Sequence, residues 1–175
     1  MNIEGYLIVL KSPEDILASE NSRYKGLYRI PPWSQRNYEE GFDDPYVFGN
    51  FTDKTGLIPN LSKVRQALAH FTKVVSAESL EIIYARQYHS TEITSQSSNF
   101  NFLGYDVAGH ESPFWSILAD FPFQEADFKG FVDKFNSFGL FSAVTDAEEC
   151  LKLYIARKLP HYDSPLVLWS VYRVE

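Results

Sequence analysis

Apolar and polar positions recur with different periods along the chain, and the periods mark the elements. Ile3 to Leu10 is nearly all apolar and rich in branched side chains, which predicts a strand buried on both faces. SPEDILASE follows. Ser12 can cap, Pro13 suits the first helical position, and Glu14 and Asp15 sit at the positive end of the dipole, so a short helix is expected. Tyr24 to Ile30 alternates and reads as a second strand. Pro31 to Asn60 scatters Pro, Gly, Asn and Asp at close intervals and is expected to be mostly loop.

Beyond it the period becomes helical. Val64, Leu68, Phe71 and Val75 share a face, predicting a helix capped by Asn60 or Ser62 and running to about Val75. Leu80 to His89 reads as a strand, STEITSQSSN as a polar loop, and Phe100 to Ala108 as a strand ended by Gly109. Gln124 to Asn136 reads as a helix, because Phe128, Phe131, Val132 and Phe135 fall at i, i+3, i+4 and i+7. Thr145 to Leu159 opens on TDAE, a capping-box pattern, with Ala147, Cys150, Leu151, Tyr154 and Ile155 as its apolar stripe. Pro165 to Val174 closes the chain as a strand, apolar on both faces over Leu166 to Trp169. Helices and strands mix without a strict βαβ rhythm. The expected fold is a single α+β domain over residues 1–175, a mainly antiparallel sheet with helices packed on it. The first and last strands are expected inside that sheet, as neighbours.

Composition adds an aromatic excess. Fourteen Phe, eleven Tyr and three Trp imply an aromatic-rich core, with surplus rings at the surface as interface anchors. The formal charge of −7 argues against direct binding to nucleic acid, which needs a basic footprint; it reads first as a solubilising charge and, if it serves binding, as an attraction for a basic partner. The one cysteine, Cys150, has no internal disulfide partner, which fits a reducing compartment. Tyr6 to Leu10 is too short for the core of a signal peptide and lacks a basic flank, and no stretch reaches the length of a membrane span. A soluble cytoplasmic protein is expected.

Candidate chemistry concentrates in NFLGYDVAGHESPFWSIL, where Asp106, His110 and Glu111 lie within six residues. DVAGHE matches neither HExxH nor a CxxC pair. Strand alternation turns Leu103, Tyr105 and Val107 towards a core and Asp106 towards solvent or a turn. His70, His89, His110 and His161 show no ligand spacing, and His70 reads as a packing residue. Cys150 falls on a buried stripe, an inert setting for a thiol. With no GxSxG elbow, phosphate loop or dinucleotide fingerprint, no catalytic residue, metal or cofactor is assigned. One acidic stretch interleaves rings with carboxylates: Tyr38, Glu39, Glu40, Phe42, Asp43, Asp44 and Tyr46. It reads as a solvated loop or as a partner-binding surface.

The segments FLGYDV (102–107), GLF (139–141), DAEE (146–149) and VLWSV (167–171) resemble motifs of bacterial immunity proteins that neutralise polymorphic toxins, including those of contact-dependent growth inhibition. The resemblance covers about the C-terminal 75 residues. It implies tight, stoichiometric binding to a cognate toxin domain and occlusion of its active site, with no catalytic residue of its own. Many such toxins are nucleases with basic grooves, which an acidic inhibitor suits. The alternatives are a small hydrolase built on Asp106, His110 and Glu111, and a non-catalytic adaptor.

Overall fold

The last strand carries an unbroken apolar run, and it takes the sheet interior. In the computed structural model the described residues are 3–10, 51–73, 77–89, 99–110, 116–118, 125–159 and 165–175. Among them, β1 (Glu4–Leu10), β2 (Leu80–Gln87), β3 (Phe100–Gly109) and β4 (Leu166–Val174) form an antiparallel sheet in the order β1-β2-β4-β3. Helices pack on this sheet, and the fold is α+β as expected. β4 is buried at Leu166 and from Leu168 to Tyr172, between β2 and β3.

β1 corrects the expectation. It ends the strand order rather than lying inside it, and β2 separates it from β4. Its apolarity is explained by what covers it. Leu57 packs with Ala85, Ala108 and Trp169, and also takes in Leu7; Ile8 packs with α1 (Leu61–Phe71) through Val64, Ala67 and Phe71. Its outer edge exchanges two hydrogen bonds with Ile58, Tyr6 N–H to Ile58 O and Ile58 N–H to Tyr6 O, both 2.8 Å. β3's outer edge is treated likewise: Tyr105 and Phe141 exchange amide bonds, and Ile117 N–H donates to Val107 O at 2.9 Å. Among the described residues, both outer edges are thus partly engaged by neighbouring backbone, which shortens the open template for aggregation.

α1 starts where its sequence says. Asn60 is its cap, accepting from Lys63 N–H at 3.0 Å, with Val64, Ala67 and Phe71 buried and Leu68 half-buried. Two other helices differ from the expectation. Residues Ala126–Lys134 form a 3-10 helix, not an α-helix. At three residues per turn, Phe128 and Phe131 stack on one side, and these two are the buried ones, while Val132 and Phe135 are half-buried. α2 (Val144–Ala156) begins two residues earlier than a TDAE capping box implies. Its cap is Ala143, with no side-chain cap bond, so Thr145 lies inside the first turn. Asp146 there is salt-bridged to Lys134 at 2.7 Å instead. Ala147, Cys150 and Tyr154 are buried and Leu151 half-buried, but Ile155 is 57% exposed, outside the stripe. Lys158 (φ 52°) closes α2 in the left-handed region, with Lys158 N–H to Ile155 O and Leu159 N–H to Tyr154 O.

The main core gathers Leu103, Val107, Leu168 and Val171 with Phe128, Phe131 and Phe141. Ala147, Cys150 and Tyr154 join it from α2. The expected helix after Ser12, the strand Tyr24–Ile30, most of the loop 31–60 and the polar loop after Ser90 lie outside the described residues.

Candidate functional site

β2 and β3 flank β4 and end together. Tyr88 N–H donates to Leu168 O at 2.9 Å on one side of β4, and His110 N–H to Pro165 O at 2.9 Å on the other. A cleft of about 500 Å³ opens at this end of the sheet. His89 and His110, both exposed, come from the ends of β2 and β3. Glu148, Leu151 and Lys152 come from α2, and Leu166 and Leu168 supply apolar lining from β4. Gln87 is buried, and its Nε2 donates to His110 O, fixing the backbone that carries that histidine. Trp169 Nε1 does the same for Gly109 O at 3.1 Å. Among the described residues no group of three His, Cys, Asp or Glu is arranged to hold a metal ion.

Asp106 lies on the face opposite Tyr105 and Val107, as alternation requires, but that face does not meet solvent. It is buried, opposite Trp169, and Oδ1 accepts from Val107 N–H at 2.7 Å and from the Ser116 hydroxyl. Trp169 and residues 116–118 cover it, and a bulge lies just upstream. The ladder shifts between Phe102 and Gly104, where Gly104 adopts φ 148°. A Cβ at Gly104 would meet Leu140 Cβ at 2.7 Å and Phe141 O at 2.8 Å, so only glycine fits. Burial raises the Asp106 carboxyl to about 6, opposed by the hydrogen bonds from Ser116 and Val107. The arrangement is structural: through Ser116 it ties residues 116–118 to the edge of β3. His110 lines the cleft while Asp106 does not, and Glu111 lies outside the described residues. Of the alternative acid–base group, Asp106 and His110 thus do not line one cleft. Cys150 is buried as expected, its thiol pushed up to about 12 by burial and then by Asp106.

A second feature crosses the whole sheet. Tyr6, Tyr84, Tyr172 and Phe102 occupy one register row, so their rings share a face. Successive centroids lie 5.1, 6.1 and 5.3 Å apart. Tyr105 extends the row at 5.0 Å from Phe102. Tyr84 donates its hydroxyl to Glu4 Oε2 at 2.7 Å. Burial, then this bond, push its phenol well above the ordinary range, so it serves as a donor and not as a base.

Sequence reasoning missed His89, Glu148 and Lys152. No local spacing links them to His110; only the order β2-β4-β3 brings them to one cleft. The acidic stretch from Tyr38 to Tyr46 lies outside the described residues. No helix among the described residues is long and apolar enough to cross a membrane. No protein-family model matches the chain, and no curated protein or solved structure matches it.

Proposed function

We propose that this chain is an immunity protein that binds and neutralises a bacterial toxin domain by covering its active site. The observation that carries the reading is the packing of the segments that bear the resemblance. FLGYDV lies in β3 and VLWSV in β4, and the two strands pair. GLF reaches β3 through the Tyr105–Phe141 exchange, and DAEE opens the helix whose Ala147 and Cys150 share a core with Leu103 and Leu140. Short motifs spread over the C-terminal part thus belong to one packed body, which is what a common scaffold requires.

The net charge of −7 supports a basic partner, since opposite charge speeds association. A nuclease with a basic groove is the toxin class that such a surface fits. The proposed contact segment is Tyr38, Glu39, Glu40, Phe42, Asp43, Asp44 and Tyr46, in which acids steer and rings anchor. The chain acts in the cytoplasm, on a protein, without catalysis, cofactor, nucleic acid or membrane. Co-expression tests this. A toxin domain encoded immediately upstream of this gene should kill cells alone and spare them when this chain is present. Equal killing with and without the chain overturns the reading.

A further inference from the structure

The cleft at the end of β2, β3 and β4 is chemically unlike the rest of the chain. The protein carries seven more acids than bases, yet the cleft gathers two imidazoles and one ammonium against a single carboxylate, Glu148. Lys152 is exposed, and among the described residues it makes no ion pair, unlike Lys134, Arg157 and Arg173. β2 and β3 stand on opposite sides of β4, two strand spacings or roughly 10 Å apart. Their terminal histidines therefore straddle a space rather than meet at a point. Among the described residues no third His, Cys, Asp or Glu completes a metal site with them, and their placement suits the two sides of an organic ligand. Leu151, Leu166 and Leu168 supply an apolar wall to the same space, and its volume falls in the range of small-molecule sites. The backbone beneath is fixed, with Gln87 Nε2 bound to His110 O and His110 N–H bound to Pro165 O. A preformed frame reduces the ordering that binding requires.

We propose that this cleft binds a carboxylate with an apolar body, the anionic head between His89, His110 and Lys152 and the body on Leu151, Leu166 and Leu168. Lys152 is a fixed positive charge and each imidazole offers a ring N–H donor, so the site selects acid over amide. Glu148 disfavours a second negative charge, which limits the ligand to a monoanion. Two sources share this chemistry: a free aryl or alkyl acid, and the terminus of a peptide ending in an apolar residue. The site is independent of toxin neutralisation.

The experiment follows backbone amide resonances of the full chain by NMR during titration. The probes are 3-phenylpropionate and its neutral amide, then acetyl-Gly-Phe with a free or an amidated terminus. Saturable shifts at Tyr88, His89, His110 and Lys152 are expected with an acid, at least tenfold tighter than with its amide. Saturation by 3-phenylpropionate identifies a free acid as sufficient, whereas saturation by the peptide acid alone identifies a chain terminus. Lys152→Gln, at an exposed position that leaves the core untouched, should weaken the acid at least fivefold and leave the amide unchanged. Acid and amide binding alike, no saturable shift with any probe, or an unchanged acid affinity in Lys152→Gln each overturn the proposal.

Discussion

Ser116 donates its hydroxyl to Oδ1 of Asp106, a carboxylate buried opposite Trp169 on the outermost strand of the sheet. The pair joins a short segment to a sheet edge, and its ionisation is linked to folding. Desolvation raises the folded-state carboxyl to about 6 from 3.8. The native state then holds a proton that the unfolded chain has released. The stabilising contribution is full below about pH 4 and is lost as pH rises through about 6.

Asp106→Asn removes that linkage. Relative to the unchanged protein, the variant should gain stability by about 2 kcal/mol between pH 4 and pH 7. Urea denaturation at several pH values measures the difference. A difference that stays constant across this range would contradict a buried, raised carboxyl.

Much of the fold is legible in the residues, and the failures have physical causes. Asn60 announces α1 because its side chain accepts a first-turn amide. The β4 run announces an interior strand because only flanking strands and covering layers can hide both its faces. Asp106 misleads because alternation assigns a face and not its cover, and Trp169 and residues 116–118 bury the face opposite Tyr105 and Val107. Thr145 misleads because the helix starts ahead of it, with Ala143 as its cap, and Lys134 meets the first turn through Asp146. β1 misleads because apolar faces report burial, and a turn and a helix bury it at the sheet edge. The cleft is illegible because strand order, which no spacing encodes, assembles it.

Gly104 and Gly130 form a paired test of the bulge. Gly104→Ala forces a side chain into a φ of 148° and against Leu140 and Phe141, and should cost at least about 2–3 kcal/mol. Gly130→Ala meets nothing within 4 Å and should be neutral or stabilising by up to ~1 kcal/mol. Thermal melts of the two variants check this, and equal effects would contradict the bulge geometry.

Asn136 joins the loop before α2 to β3. Its Nδ2 donates to Leu103 O at 2.7 Å, and its Oδ1 accepts from Phe138 N–H at 2.9 Å and Leu140 N–H at 3.3 Å. Asn136→Ala leaves these backbone groups without that partner and should cost roughly 2–3 kcal/mol. Asn136→Asp keeps the accepted bonds but cannot donate to Leu103, so it should also destabilise. Denaturation midpoints at pH 7 provide the measurement.

Cys150 should resist thiol reagents in the native protein. It is fully buried, and its thiol is pushed up to about 12, so little thiolate forms at pH 8. Labelling in increasing denaturant should follow the unfolding transition. Fast labelling of the folded chain at pH 8 would show that the main core opens to solvent.

Titration of toxin activity tests the central claim most directly. Purified toxin domain encoded immediately upstream should lose its activity linearly as this chain is added, reaching zero at about one equivalent, as nanomolar binding requires. Neutralising Glu39, Glu40, Asp43 and Asp44 together to Gln or Asn should slow association and flatten its salt dependence. Toxin activity that stays unchanged at a tenfold excess of the chain would contradict the account.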